Sequence, residues 1–144
     1  MKPSETITKI QEAMQKASLI RPKVGGFPYL AEALRQAGVL KNIWTLPTAQ
    51  SLFITKTGTA LFPNQALVTE ATEVVNFDEE ALIKVLRADQ AGESSFAEFL
   101  QGSWLAGVTG YEVDFEQRQV TYYGYKQGQK ASYIEEYPQV SIEE

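Results

Sequence analysis

Phe27-Pro-Tyr-Leu-Ala-Glu-Ala-Leu-Arg-Gln-Ala-Gly-Val39 returns 69 positions later as Phe96-Ala-Glu-Phe-Leu-Gln-Gly-Ser-Trp-Leu-Ala-Gly-Val108. Phe27 falls on Phe96, Leu30 on Phe99, and Ala37-Gly-Val39 on Ala106-Gly-Val108. Carried forward at the same spacing, Trp44 meets Val113, Leu46 meets Phe115 and Ile54 meets Tyr123, so the apolar positions stay in phase. Each copy reads as a helix that stops at a glycine able to take left-handed geometry, followed by a valine that starts an extended segment. Two copies are too few for a solenoid. The expectation is one α+β domain over residues 1–144, with helices packed on a mainly antiparallel sheet and repeat halves near 22–62 and 91–137. Chance similarity of helix–Ala-Gly-Val–strand junctions is the alternative.

The local signals fill in this plan. Ile7, Ile10, Met14 and Ala17 recur at helical spacing behind Ser4, a good N-cap. Pro22 and Gly25-Gly26 end that segment, and Pro28 suits the first turn of a second helix carrying Leu30, Ala33, Leu34 and Ala37. The period then changes from 3.6 to 2, which predicts strands at 42–46 and 51–55 with a short third at 60–62. Residues 63–76 read equally as strand or loop. Asp78 caps a third helix with Phe77 and Leu82 as a hydrophobic staple, and Ser95 with Glu98 forms a capping box for a fourth. A meander at 111–116, 119–125 and 131–137 closes the chain, its last turn at Gln127-Gly128. The tail from Ser141 to Glu144 is expected to be loose.

Composition narrows the chemistry. The 144 residues include neither cysteine nor histidine. This excludes disulfides and thiolate metal sites, and removes the usual general base and near-neutral pH switch. Catalysis would have to use carboxylates, lysine, tyrosine or serine. The net charge is −5 and the basic residues are scattered, which gives phosphate contacts little to rest on and disfavours nucleic acid as a partner. The opening Met1-Lys2-Pro3-Ser4 has no continuous apolar run, and no window approaches the ~20 apolar residues of a membrane span. The default expectation is a cytoplasmic protein with no membrane contact.

The order and spacing of several segments carry a family resemblance. Arg87-Ala-Asp-Gln-Ala-Gly92, Phe96 to Phe99, Ala106-Gly-Val108, Val120-Thr-Tyr-Tyr123 and Glu136-Tyr-Pro138, preceded by Gly26-Phe-Pro-Tyr-Leu30, resemble the YdfO/YbcV-like family, domain-of-unknown-function family 1398. The resemblance covers most of residues 20–138 and implies a small protein of enterobacteria and their prophages; the family name carries no biochemical activity with it. This chain has Asp89 where the family pattern often has histidine, and Leu100 where it often has cysteine. Any reactive or metal site those residues formed in relatives would be missing here.

Each candidate site also has an ordinary structural role. Tyr111, Tyr122, Tyr123, Tyr125, Tyr133 and Tyr137 could form a stacking platform, but tyrosine also packs cross-strand. Glu112, Asp114, Glu116, Glu135 and Glu136 could supply paired carboxylates, but on an alternating strand the first three face solvent, where Arg118, Lys126 and Lys130 could neutralise them. Gly25-Gly26 could cradle an anion, though no nucleotide-binding loop is present. Ser94 and Ser95 lack an activating base, and Asp78, Glu79 and Glu80 suit a helix N-terminus. No catalytic, cofactor-binding or metal-binding residue and no cofactor is assigned. The favoured reading is a non-enzymatic binding or regulatory protein of phage-accessory type, acting on a protein or small molecule, with a homodimer among the options. Alternatives are an enzyme using carboxylates and tyrosines in a cleft between the repeats, and nucleic-acid binding through a tyrosine-rich sheet. Tyr111, Val113 and Phe115 should face the helices, with Trp44 and Leu46. The interaction surface is then expected on the open sheet face at Glu112 and Asp114, with whichever of Tyr122, Tyr123 and Tyr125 point outward.

Overall fold

Each helix begins where a short polar side chain accepts from an orphan N–H group or where a proline, lacking an N–H, removes one. The computed structural model describes residues 4–143; the opening Met1-Lys2-Pro3 of the N-terminal reading and Glu144 of the tail lie outside them. Helix α1 (Glu5–Ile20) is capped by Ser4, whose Oγ accepts from the Ile7 N–H. Helix α2 (Phe27–Gln36) starts with a proline in its first turn. Helix α3 (Glu79–Gln90) is capped by Asp78, and α4 (Phe96–Leu105) by the reciprocal Ser95–Glu98 capping box. Phe77 and Leu82, the staple pair of α3, are both buried.

Strands β1 (Val39–Thr45), β2 (Gln50–Thr55), β3 (Thr59–Pro63), β4 (Val108–Asp114), β5 (Gln119–Lys126) and β6 (Gln129–Glu136) form one antiparallel sheet in the order β3-β2-β1-β4-β5-β6. Of residues 63–76, ambiguous in sequence, Pro63 ends β3 and the rest contain no strand. Leu67 and Val68 there donate their N–H groups to the Pro47 carbonyl. The result is a single α+β domain in which α1 packs on α2, α3 packs on α4, and α2 and α4 lie against β1 and β4.

Two helices followed by three strands occur twice along the chain. The spacing of 69 persists in backbone detail. Helices α2 and α4 end before Gly38 and Gly107, with φ +93° and +87°. Strands β1 and β4 shift register at one extra residue, Leu40 and Thr109. The turns after them each end in a non-glycine residue of positive φ, Ala49 (+52°) and Arg118 (+55°). Pairing between β1 and β4 is symmetric about Ile43 and Glu112, with Lys41 opposite Asp114 and Thr45 opposite Gly110.

Strand alternation puts one face of the sheet under the helices. Asn42, Trp44, Ser51, Phe53, Ala60, Tyr111, Val113, Val120 and Tyr122 occupy that face and are buried, joined at the strand ends by Leu46 and Phe115. A hydrogen-bonded polar trio sits among them: Trp44 Nε1 donates to Asn42 Oδ1 at 2.8 Å, and Asn42 Nδ2 donates to Ser51 Oγ at 2.7 Å and to the Leu52 carbonyl. After β6 the chain crosses to the other half. The Tyr137 ring meets Phe27 edge-on with centroids 5.1 Å apart. Ile142 is half-buried against the core, which gives the tail an anchoring side chain that its sequence did not announce.

Candidate functional site

Two regions are candidates: the open face of the sheet, and a polar cluster at the edge of the covered face between α3 and strands β4–β6.

On the open face, cross-strand register sets Leu61, Leu52, Ile43, Glu112, Thr121 and Ile134 in one row across all six strands. Ile54 adjoins the aliphatic end. Leu61 is 52% exposed and Ile134 56% exposed. The next row carries Lys41, Asp114, Gln119 and Glu136. Glu112 and Asp114 thus lie on this face, and Asp114 Oδ1 also accepts the Glu116 and Gln117 N–H groups, which stiffens the turn. Among the described residues no ion pair within 4 Å joins Glu112, Asp114 or Glu116 to Arg118, Lys126 or Lys130.

The tyrosines divide. Tyr122 is 8% exposed on the helix-covered face and is excluded from the outward surface, because its partner opposite is the buried Tyr111. Tyr123 and Tyr125 take the open face. Tyr123 does not project freely: it lies across Gly110, where an added Cβ would come within 2.5 Å of its hydroxyl, and Lys130 Nζ sits 4.9 Å from its ring centroid. Burial, with the nearby Glu112 charge, raises its pKa. Tyr125 is 49% exposed. With two tyrosines beside three acids, this face is a poor platform for nucleic acid. On the sheet side the two halves meet in a continuous β1–β4 ladder.

The aliphatic row was the part of this surface that sequence reading missed. Its signal was present in the alternation of Leu52 and Ile54 with Ser51 and Phe53, but both sets are hydrophobic enough to hide which one faces inward.

The polar cluster joins residues far apart in sequence. Glu135, on the covered face of β6, accepts from Arg87 at 2.8 Å, from Gln90 and, through its other oxygen, from the Tyr133 hydroxyl at 2.9 Å. Burial works to raise the Glu135 carboxyl, but these hydrogen bonds outweigh it and hold it below the ordinary range. Glu136, its sequence neighbour, faces the open side, so the two do not form a carboxylate pair. Asp89 follows Leu82 and Leu86 on the sheet-facing side of α3 and is half-buried. Its Oδ1 accepts a long 3.4 Å hydrogen bond from Ser94. Burial raises its pKa, opposed by Ser94 and the more distant Arg21 charge. Beneath α4, Tyr111 and Tyr122 pack with ring centroids 5.5 Å apart and Phe99 against both. Burial pushes both phenols well up, and the Asp89 charge adds to this in each.

The other sequence candidates have structural roles. The Gly25 N–H donates to the Gln90 carbonyl, Ser95 and Asp78 are helix caps, and Ser94 serves Asp89. Among the described residues no group of three or more acids could hold a metal ion, and no helix is long and apolar enough to cross a membrane.

Residues 5–136 match the family model described as "Protein of unknown function (DUF1398)". Among curated proteins the chain is similar to uncharacterized proteins of Mycobacterium tuberculosis and Mycobacterium bovis, each 50% identical over 123 residues, which span 85% of this chain and 75% of theirs. These relatives are mycobacterial and lend no support to an enterobacterial or prophage origin. With a match over nearly all of its helices and strands, the chain belongs to the DUF1398 family.

Proposed function

We propose that this is a non-enzymatic, cytoplasmic binding protein that works through the open face of its sheet, and that a second copy of the chain occupies that face. The observation that carries the reading is the row Leu61–Leu52–Ile43 with Ile54, an aliphatic patch on a face no helix covers. A twisted sheet packs well on a sheet of the same twist, about 10 Å away. The charges favour a copy as the partner. In a stack about an axis running along the central strands, β1 of one sheet lies over β4 of the other. Lys41 then meets Asp114 of the second copy, twice by symmetry, and Leu61 meets Ile134. Duplication of an ancestral helix–hairpin unit accounts for the shared backbone detail of the halves, whose open faces differ in charge.

Light scattering across a concentration series tests this. Wild type should dimerise, and Leu52→Lys should weaken association at least about tenfold while circular dichroism stays unchanged. The same stack sets Glu112 against Ile43, so Glu112→Gln should tighten it. A wild-type monomer at high concentration, or a Leu52→Lys protein that associates normally, overturns the proposal.

A further inference from the structure

One end of the sheet is covered by the chain itself. Where α4 gives way to β4, residues 76–78 cross the junction. The Phe77 N–H donates to the Tyr125 carbonyl and the Asp78 N–H to the Ala106 carbonyl, both at 2.9 Å. The segment lies so close that a Cβ on Gly107 would come within 2.5 Å of the Asn76 carbonyl oxygen. The counterparts of Ala106, Gly107 and Tyr125, 69 positions earlier, are Ala37, Gly38 and Lys56, where α2 gives way to β1. No described atom lies within 4 Å of a Cβ built on Gly38. The Ala37 and Lys56 carbonyls accept no hydrogen bond from any described residue. Beside them opens a cavity of about 320 Å³ whose lining includes Val39, Leu40, Lys56, Arg35, Arg118 and Glu116. Lys56 and Arg118 make no side-chain hydrogen bond and no ion pair within 4 Å with any described residue. Arg35 is held by Glu32, which also accepts from Gln36 and acts on Arg118 from farther away. Glu116 is the one described carboxylate of the lining, so in a chain of net charge −5 the cavity is locally positive.

We infer that this junction docks an acidic, extended peptide segment of a partner protein, as residues 76–78 dock on its counterpart. Two successive N–H groups of the segment donate to the Lys56 and Ala37 carbonyls, and its carboxylates take Lys56 and Arg118. The side chain between is limited by Thr55. Opposite Val108, β5 has Gly124, and the Phe77 ring sits against it; opposite Val39, β2 has Thr55 instead. An aromatic ring has less room there, so a small residue takes the Phe77 position and an acid follows it. A free phosphate would use the cations alone and leave both carbonyls without donors. The surface lies at the end of the sheet, and its assignment does not rest on the proposed dimer.

The test uses the whole chain at low salt and the peptide acetyl-Asn-Ala-Asp-Glu-Glu-amide, which is residues 76–80 with alanine in place of Phe77. Binding is followed through the amide resonances of residues 37–40 and 56–58, where saturable shifts are expected. The same peptide with Asn-Gln-Gln in place of its acids, or N-methylated at the Ala and Asp nitrogens, should bind at least about tenfold more weakly. The parent peptide with phenylalanine should also bind more weakly. Lys56→Gln with Arg118→Gln should weaken binding about tenfold at unchanged circular dichroism, and Lys56→Glu alone serves if the pair fails to fold. No saturable shift at these residues, equal binding of the uncharged or N-methylated peptide, or undiminished binding by the variants overturns the inference. Inorganic phosphate binding as tightly as the peptide also overturns it, and makes the cavity a site for small anions. A phenylalanine peptide that binds as well overturns the small-residue preference.

Discussion

Ile43 lies directly opposite Glu112 across the β1–β4 pair, and the two residues occupy equivalent places in the two halves of the chain. The centre of the sheet is therefore the point about which the halves are arranged, and the same place carries an aliphatic side chain in one half and a carboxylate in the other. The core keeps the equivalence, while the open face departs from it.

Leu46 and Phe115 show that equivalence inside the core. They follow β1 and β4 at the same spacing and are fully buried. Phe115→Ala should cost about 3–5 kcal/mol and Leu46→Ala about 2–5 kcal/mol, because each leaves a cavity. Urea unfolding of both variants checks this. A loss below 1 kcal/mol for Phe115→Ala would mean that the second half packs far more loosely than its geometry shows.

The β5–β6 hairpin turns on Gln127 and Gly128, both with positive φ (+51° and +79°). A turn of this kind favours asparagine at the first position. Gln127→Asn should stabilise the protein by about 0.5 kcal/mol and Gln127→Val should destabilise it by about 1 kcal/mol, read from thermal midpoints.

Gly124 tests close approach instead. A Cβ there would collide with the Gly107 carbonyl oxygen and crowd the Phe77 ring. Gly107 joins α4 to β4 and Phe77 immediately precedes the cap of α3, so one obstacle is backbone and the other a buried ring. Gly124→Ala should cost roughly 2 kcal/mol or more by denaturant titration, since backbone must move to admit it.

Two carboxylates give stability opposite pH dependences. Glu135 is held below its unfolded value, so its contribution is present above about pH 4.3 and is lost as the pH falls through its folded pKa. Asp89 is raised by burial, so its contribution is present below about pH 3.9 and is lost as the pH rises through its folded value. Glu135→Gln should lower stability at pH 7 by about 1–2 kcal/mol and flatten the acid limb. Asp89→Asn should raise the neutral-pH midpoint slightly. Urea midpoints from pH 3 to 8 decide both, and a destabilised Asp89→Asn protein at pH 7 would contradict the burial argument.

Much of the fold was legible because its signals are local. Ser4, Asp78 and Ser95 cap the helices beginning beside them, and Gly38 and Gly107 end theirs. The alternation of Tyr111, Val113 and Phe115 with acids also named the covered face correctly. What escaped depends on distant partners. Tyr122 and Tyr123 are identical neighbours, and only pairing with Tyr111 and Gly110 decides which of them is buried. Glu135 looks like any strand acid until Arg87, 48 positions earlier, reaches it. Asp89 stood out in the sequence as a departure from its family's pattern, and its half-burial shows only once α3 is laid on the sheet.

The edge-on contact of Phe27 with Tyr137 ties the start of α2 to the segment after the last strand. During synthesis α2 and the first three strands leave the ribosome long before Tyr137 does. The first half must wait, with the β1 edge that β4 will take still unpaired and part of its aromatic packing missing. Contacts of such long sequence separation slow folding and prolong exposure of strand edges. Chaperone dependence should therefore fall mainly on nascent chains that end before β4, and a chain truncated after β3 should be captured more strongly than the complete one.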